Sequence, residues 1–154
     1  MSTANNRYRV GSQAFAAEDA PLLEQGHYQA LQLENTLSDD YGIDLANTPA
    51  ATSELLRTQQ TAQYAGFYVT RQYPQLDEVK HGMVLKEFRT LLDYGQLPRI
   101  ALQAAYETLE DRPTEAVWFT HGIRIAGLCA LLGVYQDRRL IPKFCEIREL
   151  PITQ

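Results

Sequence analysis

A short apolar run that ends on a histidine is the part of this sequence best suited to chemistry. Residues 116–120 read Ala-Val-Trp-Phe-Thr, and His121 and Gly122 follow before an apolar helical pattern that extends from Ile123 to Gly133. This order predicts a buried strand that leads into the N-terminus of a helix, which is where ligands bind in open α/β sheets and where free N–H groups favour an anion. His121 could stabilise a phosphoryl oxygen there, or it could simply cap the helix.

Arg57 is a second candidate at a similar junction. It stands four residues after Ser53, at the start of a predicted helix. Its guanidinium could therefore reach the same end of the sheet as His121. The planar fork of an arginine can hold two phosphate oxygens at once. The alternative interpretation is a solvated charge on a helix surface.

The elements that must position these residues alternate along the chain. The patterns predict helices over 22–40, 54–65, 83–94, 99–109 and 123–132, and strands over 46–52, 67–71, 117–120 and 143–152. The apolar stripe of the first helix includes Leu31, Leu33 and Leu37. Strands that alternate with helices are typical of a mostly parallel central sheet covered on both faces. The predicted fold class is therefore α/β, a three-layer α/β/α sandwich.

The length, charge and composition of the chain limit the classes of protein to which it could belong. A chain of 154 residues predicts one domain over 1–154, and a net charge of -5 argues against nucleic acid as a partner. The sequence has no apolar run of the ~18 residues that a bilayer span needs, nor the apolar segment of a signal peptide near Met1. Cys129 and Cys145 lack metal or redox spacing and fit small core residues in a reducing cytoplasm. We expect a cytoplasmic protein without membrane contact, and neither a metal site nor a nucleotide loop is indicated.

Four segments in order resemble one known family. They are Asp-Ala-Pro-Leu-Leu-Glu-Gln-Gly-His-Tyr-Gln-Ala at 19–30, Ser-Glu-Leu-Leu-Arg-Thr-Gln-Gln-Thr-Ala at 53–62, Leu-Asp-Glu-Val-Lys-His-Gly at 76–82, and Thr-His-Gly at 120–122. This set, which covers roughly residues 9–150, resembles the histidine phosphatase superfamily, which includes the phosphoglycerate mutases. The resemblance implies a phosphoglycerate mutase-like fold that needs no cofactor or metal. It also implies phosphate binding by Arg9, Arg57 and His121, with Glu78 and His121 as catalytic residues.

The resemblance makes Glu78 the general acid that protonates the leaving oxygen. The alternative interpretation of Glu78 is a surface carboxylate in a charged loop.

The sequence departs from the family pattern near its beginning. The family has an apolar strand that runs into Arg-His-Gly, whose histidine attacks phosphorus, whereas the matching residues here are Arg9-Val10-Gly11. Val10 has no lone pair and cannot form a phosphohistidine. A different register, Arg7-Tyr8-Arg9, also lacks the histidine. A substitute nucleophile at His81, or a hydroxyl role for Ser12, stays open.

Three functions are compatible with these observations. A degenerate member would bind a phosphorylated small molecule or a phosphoprotein, and Val10 favours this interpretation. An active small phosphatase would use direct water attack or a non-standard nucleophile. A vestigial site would leave only an interaction surface, such as an exposed aromatic face or a homodimer contact. That face would contain Tyr64, Phe67, Tyr68 and Tyr73, although such aromatic residues more often lie in a partly buried core. Whether the chain is an enzyme is therefore left open by the sequence.

Overall fold

The computed structural model describes residues 24–80, 85–143 and 145–152. These residues form five α-helices and three strands, in the order α1 Glu24–Asp39, β1 Ala50–Thr52, α2 Leu56–Tyr64, β2 Thr70–Gln72, α3 Leu85–Asp93, α4 Arg99–Glu110, β3 Val117–Phe119 and α5 Gly122–Leu131. Short 3-10 helices lie at Pro74–Leu76 and Asp137–Leu140.

The three strands form one parallel sheet in the order β2-β1-β3. Ala50 lies opposite Thr70 on one side and opposite Val117 on the other. All three β1 residues are buried, as expected for a central strand covered on both faces. The alternating parallel strands and helices agree with the predicted α/β class.

One apolar cluster packs α1 and α2 against the sheet. Leu33 and Leu37 of α1 contact a group that includes Ala62, Phe67 and Phe119. The Phe67 and Phe119 rings meet edge to face, with their centroids 5.4 Å apart. Because Phe67 is 2% exposed, it belongs to the core and not to an exposed aromatic face. Leu31, predicted in the apolar stripe of α1, is 48% exposed and lies outside the core.

A second apolar cluster packs α3, α4 and α5 together. It includes Phe88, Ala101, Ile125 and Cys129. The helices α4 and α5 come very close at Gly127, where an added Cβ would lie 2.3 Å from the carbonyl oxygen of Ala101. Only glycine allows this approach, so the crossing of α4 and α5 depends on it.

Three of the predicted strands differ from the structure. The strand predicted over 67–71 lies at Thr70–Gln72. The strand predicted over 46–52 is only Ala50–Thr52, because Pro49 lacks the N–H that a ladder requires. The strand predicted over 143–152 is absent from residues 143 and 145–152. Cys145 there has a positive φ of 57°, which is incompatible with an extended strand. None of the described helices has the length and apolar character that crossing a membrane requires.

Candidate functional site

The candidate site lies where the two neighbouring strands β1 and β3 end. Thr52 lies opposite Phe119 in the parallel ladder, so the residues that follow both strands leave the sheet at the same edge. Ser53 follows β1, and His121 lies just before α5. Although the two are separated by 68 residues, Ser53 Oγ lies 2.8 Å from His121 Nε2.

The His121 ring is buried and does not cap α5. Its backbone is extended (φ -123°, ψ 162°), and its side chain makes no capping hydrogen bond. His121 is thus the N-cap residue of α5 by position, but its imidazole does not supply the cap. The residue is 2% exposed. Burial, followed by the positive charges of Arg57 and Arg124, lowers the pKa of His121 well below its usual range. The ring is therefore neutral near pH 7 in the free protein.

Arg57 lies in the first turn of α2 and is 3% exposed. The alternative of a solvated surface charge is therefore wrong. Burial lowers the pKa of the Arg57 guanidinium, against the opposing charges of Glu78 and Asp77. An arginine nevertheless remains protonated in proteins. The edge of the sheet thus holds a buried cation within electrostatic range of a neutral imidazole.

Glu78 follows the 3-10 helix Pro74–Leu76 and reaches the start of α5. Its Oε1 accepts from the backbone N–H of Val79 at 2.8 Å, and its Oε2 accepts from that of Ile123 at 3.3 Å. Burial raises the pKa of Glu78, while these two N–H groups and Arg57 act in the opposite direction. One N–H of the α5 N-terminus, which the sequence led us to expect free for an anion, therefore donates to a carboxylate of the protein itself.

Residues 76–79, called the 76–79 segment below, are hydrogen-bonded to the residues that follow both strands. Thr120 Oγ1 donates to the carbonyl oxygen of Leu76 at 2.5 Å. The backbone N–H of Glu54 donates to Asp77 Oδ1 at 2.7 Å. The 76–79 segment thereby links the junction after β1 to the junction after β3.

Arg124 is a buried residue of this region that the sequence reasoning missed. Its Nε donates to the carbonyl oxygen of Asp77 at 2.5 Å. Its Nη1 donates to the carbonyl oxygen of Ala104 at 2.9 Å and to Thr108 Oγ1 at 2.8 Å. Arg124 is the one charged side chain within the apolar helix Gly122–Leu131, and that isolation was a signal that could have found it.

The structure brings three of the predicted site residues together, namely Arg57, Glu78 and His121. Arg9, Val10, Ser12 and His81 lie outside the described residues. Among the residues that the structure describes, no group of three His, Cys, Asp or Glu side chains could hold a metal ion.

A cavity of about 630 Å³ lies elsewhere, along β3. It is lined by residues 112–118, by Thr120 and by residues of the C-terminal tail from Glu146 to Ile152. Arg57, Glu78 and His121 do not line it, so the candidate site is not this cavity.

Several solved structures resemble this chain. The protein TTHB049 from Thermus thermophilus is 22% identical, with a TM-score of 0.60, over 94% of this chain and 86% of that chain. Mycobacterial hydrolase 1 is 20% identical, with a TM-score of 0.56, over 87% and 77% of the two chains. YhfR from Bacillus stearothermophilus is 21% identical, with a TM-score of 0.54, over 93% and 83%. At these identities the likeness shows the fold, and it confirms the predicted phosphoglycerate mutase-like sandwich.

Sequence comparison gives the family directly. No curated protein matches the sequence. The model of the histidine phosphatase superfamily (branch 1) matches residues 2–92, more than half of the chain and including the Ser53 and Glu78 segments. The chain therefore belongs to the histidine phosphatase superfamily.

Proposed function

We propose that this protein binds the phosphate group of a phosphorylated small molecule or phosphoprotein, and that it has lost the phosphohistidine route. The observation that carries the proposal is the burial of the Arg57 cation and the His121 ring together at the edge of the sheet. Membership of the superfamily supports a phosphatase-like function in general.

The chemistry of the proposed pocket follows from its groups. Arg57 offers two parallel N–H donors to two phosphate oxygens, and Arg9 would add a second cation. The charge of a phosphoryl group in transfer spreads over its oxygens, so donors fixed in a buried site stabilise it without reorganisation. His121 contacts the same group through its free ring edge.

The loss of the covalent route rests on Val10. A nucleophile must offer a lone pair to phosphorus, and a valine side chain has none. Arg57 and His121 would serve binding equally well with or without that nucleophile, so they do not separate a binding protein from an enzyme.

A second candidate function is an active phosphatase that uses direct water attack or a non-standard nucleophile. Glu78 is the observation that favours it, because burial raises the pKa of this carboxyl. A carboxyl that keeps its proton closer to neutral pH can protonate a leaving oxygen.

Turnover of an aryl phosphate and thermal unfolding with inorganic phosphate or vanadate distinguish these functions. We expect no turnover but a higher Tm with the anion, and loss of that rise in His121→Ala. Turnover that disappears in His121→Ala would instead establish an enzyme whose nucleophile is not residue 10. Absence of both turnover and anion stabilisation would contradict the proposal.

Substitution of Val10 by histidine tests the lost nucleophile. We expect Val10→His to create or greatly raise aryl phosphatase activity, because restoring the covalent route splits one difficult displacement into two easier ones. Val10→Ala is the matched control and should stay inactive. If Val10→His binds phosphate like the parent but gains no activity, residue 10 is not the nucleophile position.

A further inference from the structure

The hydroxyl of Ser53 lies at the centre of three hydrogen-bond contacts. Its Oγ is 3.1 Å from the backbone N of Leu55, 2.8 Å from Thr58 Oγ1 and 2.8 Å from His121 Nε2. Ser53 and Thr58 are both fully buried. A serine hydroxyl has one proton and two lone pairs, so three contacts use all of its hydrogen-bonding capacity. The donor and the acceptor of each contact can therefore be assigned.

The proton of the Thr58 hydroxyl can be placed first. Thr58 Oγ1 lies 2.9 Å from the carbonyl oxygen of Leu55 and 3.3 Å from that of Ser53. Carbonyl oxygens only accept, so the single proton of the Thr58 hydroxyl goes to a carbonyl. In the 2.8 Å contact between the two hydroxyls, Ser53 must then donate to Thr58.

The remaining contacts of Ser53 are then fixed. The backbone N–H of Leu55 donates to Ser53 Oγ, and the one proton of that hydroxyl has gone to Thr58. Only a lone pair is left for His121 Nε2, which must be the donor. The reverse chain, from Thr58 to Ser53 to His121, would leave buried oxygens facing one another without a proton. A buried group left unpaired in this way loses its hydrogen bonds to water without replacement, which destabilises that arrangement.

We propose that Ser53 and Thr58 are positioning residues that hold His121 as the Nε2–H tautomer, so that Nδ1 is the proton-accepting atom of the phosphate pocket. The tautomer of a histidine is set by the hydrogen bond at its other ring nitrogen. Among the described residues, Nδ1 of His121 has no hydrogen-bond partner of its own. A buried acceptor without a partner is ready to receive a donor from a ligand.

The charged groups around the ring agree with this assignment. The positive charges of Arg57 on α2 and Arg124 on α5 both disfavour a second proton on the ring. Glu78 and Asp77 of the 76–79 segment lie near the two arginines and partly offset them. The free protein therefore holds a neutral nitrogen acceptor within electrostatic range of the Arg57 cation.

This arrangement gives the proposed phosphate site a selectivity. A phosphate that still carries a proton can donate its P–OH to Nδ1 while its other oxygens accept from Arg57. Sulfate has the same shape but no proton at the same pH, so an oxygen lone pair would face the lone pair of Nδ1. A site built for a donor rejects an analogue that lacks it. This step rests on the proposed function, whereas the tautomer itself does not.

Nitrogen NMR of the full chain tests the tautomer without any ligand. The ¹⁵N shifts and couplings of His121 in the free protein should show a proton on Nε2 and a bare Nδ1 near pH 7. A spectrum with the proton on Nδ1 would overturn the proposal, whatever the protein binds. If His121 shows the expected tautomer but inorganic phosphate does not raise the Tm, the proposed function fails and the tautomer assignment stands.

Two variants of Thr58 then test what sets the tautomer. In Thr58→Val no hydroxyl accepts from Ser53, so Ser53 donates to Nε2 and the ring changes to the Nδ1–H form. Thr58→Ser keeps the hydroxyl and should keep the parent spectrum. At about pH 6, where a phosphate still carries a proton, the preference for inorganic phosphate over sulfate should fall roughly tenfold in Thr58→Val and be unchanged in Thr58→Ser.

Equal spectra in Thr58→Val and the parent would show that the hydroxyl chain does not set the tautomer. If Thr58→Val fails to fold, Ser53→Ala replaces it. That variant removes the acceptor of the Nε2 proton, and the His121 signals should then show both tautomers in exchange. A single unchanged tautomer in Ser53→Ala would equally overturn the proposal.

Discussion

The two strand-to-helix junctions each hold a buried arginine, but the surroundings of the two arginines differ. Arg57 follows β1 and is 3% exposed, and Arg124 follows β3 and is 6% exposed. Arg124 donates to Thr108 and to the carbonyl oxygens of Asp77 and Ala104. Arg57 lies within electrostatic range of Glu78 and His121. Residue type and burial are alike. Arg124 holds oxygens of the protein itself, whereas Arg57 is the candidate for a ligand because Glu78 and His121, the other predicted site residues, lie within its electrostatic range.

The largest expected effect is on folding, at the junction after β3. Arg124→Met removes the donor from three buried or partly buried oxygens, and we expect the free energy of unfolding to fall by about 3 kcal/mol or more. For a chain of this size that corresponds to a fall in Tm of roughly 6–12 °C. Thermal unfolding without ligand measures it. Arg99→Met, at an exposed position at the start of α4, is the control and should leave the Tm nearly unchanged.

If Arg124→Met unfolded like the Arg99→Met control, the contrast between the two junctions would be lost.

The second effect is on ligand binding, at the junction after β1. Arg57→Met should weaken binding of inorganic phosphate roughly 30-fold, the loss expected for a hydrogen bond to a charged group worth about 2 kcal/mol. The Tm rise with phosphate should disappear, because the cation that accompanies the anion is gone. Titration by calorimetry gives the affinity, again with Arg99→Met as control. Undiminished phosphate binding in Arg57→Met would remove this residue from the pocket.

Part of the candidate site could be predicted from the sequence. The junction after β3 was predictable because a strand, a histidine and a helix are contiguous in the chain, and Arg57 was predictable from its spacing to Ser53. The contact of Ser53 with His121 spans 68 residues, and no local pattern encodes such a distance. Glu78 was predicted, but its bond to the Ile123 N–H spans 45 residues and was not.

The incorrect and the open predictions have equally physical causes. A last strand was predicted over residues 143–152, but the positive φ of Cys145 there is not visible in the amino-acid sequence. The sequence left open whether Phe67 lies on an exposed aromatic face or in the core, and its ring packs on Phe119 of a strand far along the chain. In these two cases backbone conformation and tertiary contacts, rather than the local pattern, decide the outcome.

The smallest effect concerns the 76–79 segment that joins the two junctions. Burial raises the pKa of Asp77 to about 6, above the value of about 3.9 in an unfolded chain. Between these values the folded protein binds more protons than the unfolded chain, so this group lowers stability as the pH rises from about 4 to about 6. Asp77→Asn cannot ionise and still accepts from the Glu54 N–H.

We therefore expect Asp77→Asn to flatten the Tm profile between pH about 4 and about 6, with a slightly higher Tm than the parent at pH 7. Glu87→Asn, at an exposed position of α3, is the control and should keep the parent profile. A profile in Asp77→Asn as steep as that of the parent would place the titrating group elsewhere in the site.

The contact between Gly127 and Ala101 has a mechanical consequence for the site. A slide of α5 along its axis by one residue, about 1.5 Å, would move Gly127 away from the Ala101 carbonyl and bring a bulkier neighbour towards it. The close contact with α4 therefore opposes sliding and fixes the position of α5 along its axis. His121 directly precedes that helix. Gly127, almost two turns away, therefore determines how far the imidazole lies beyond the edge of the sheet.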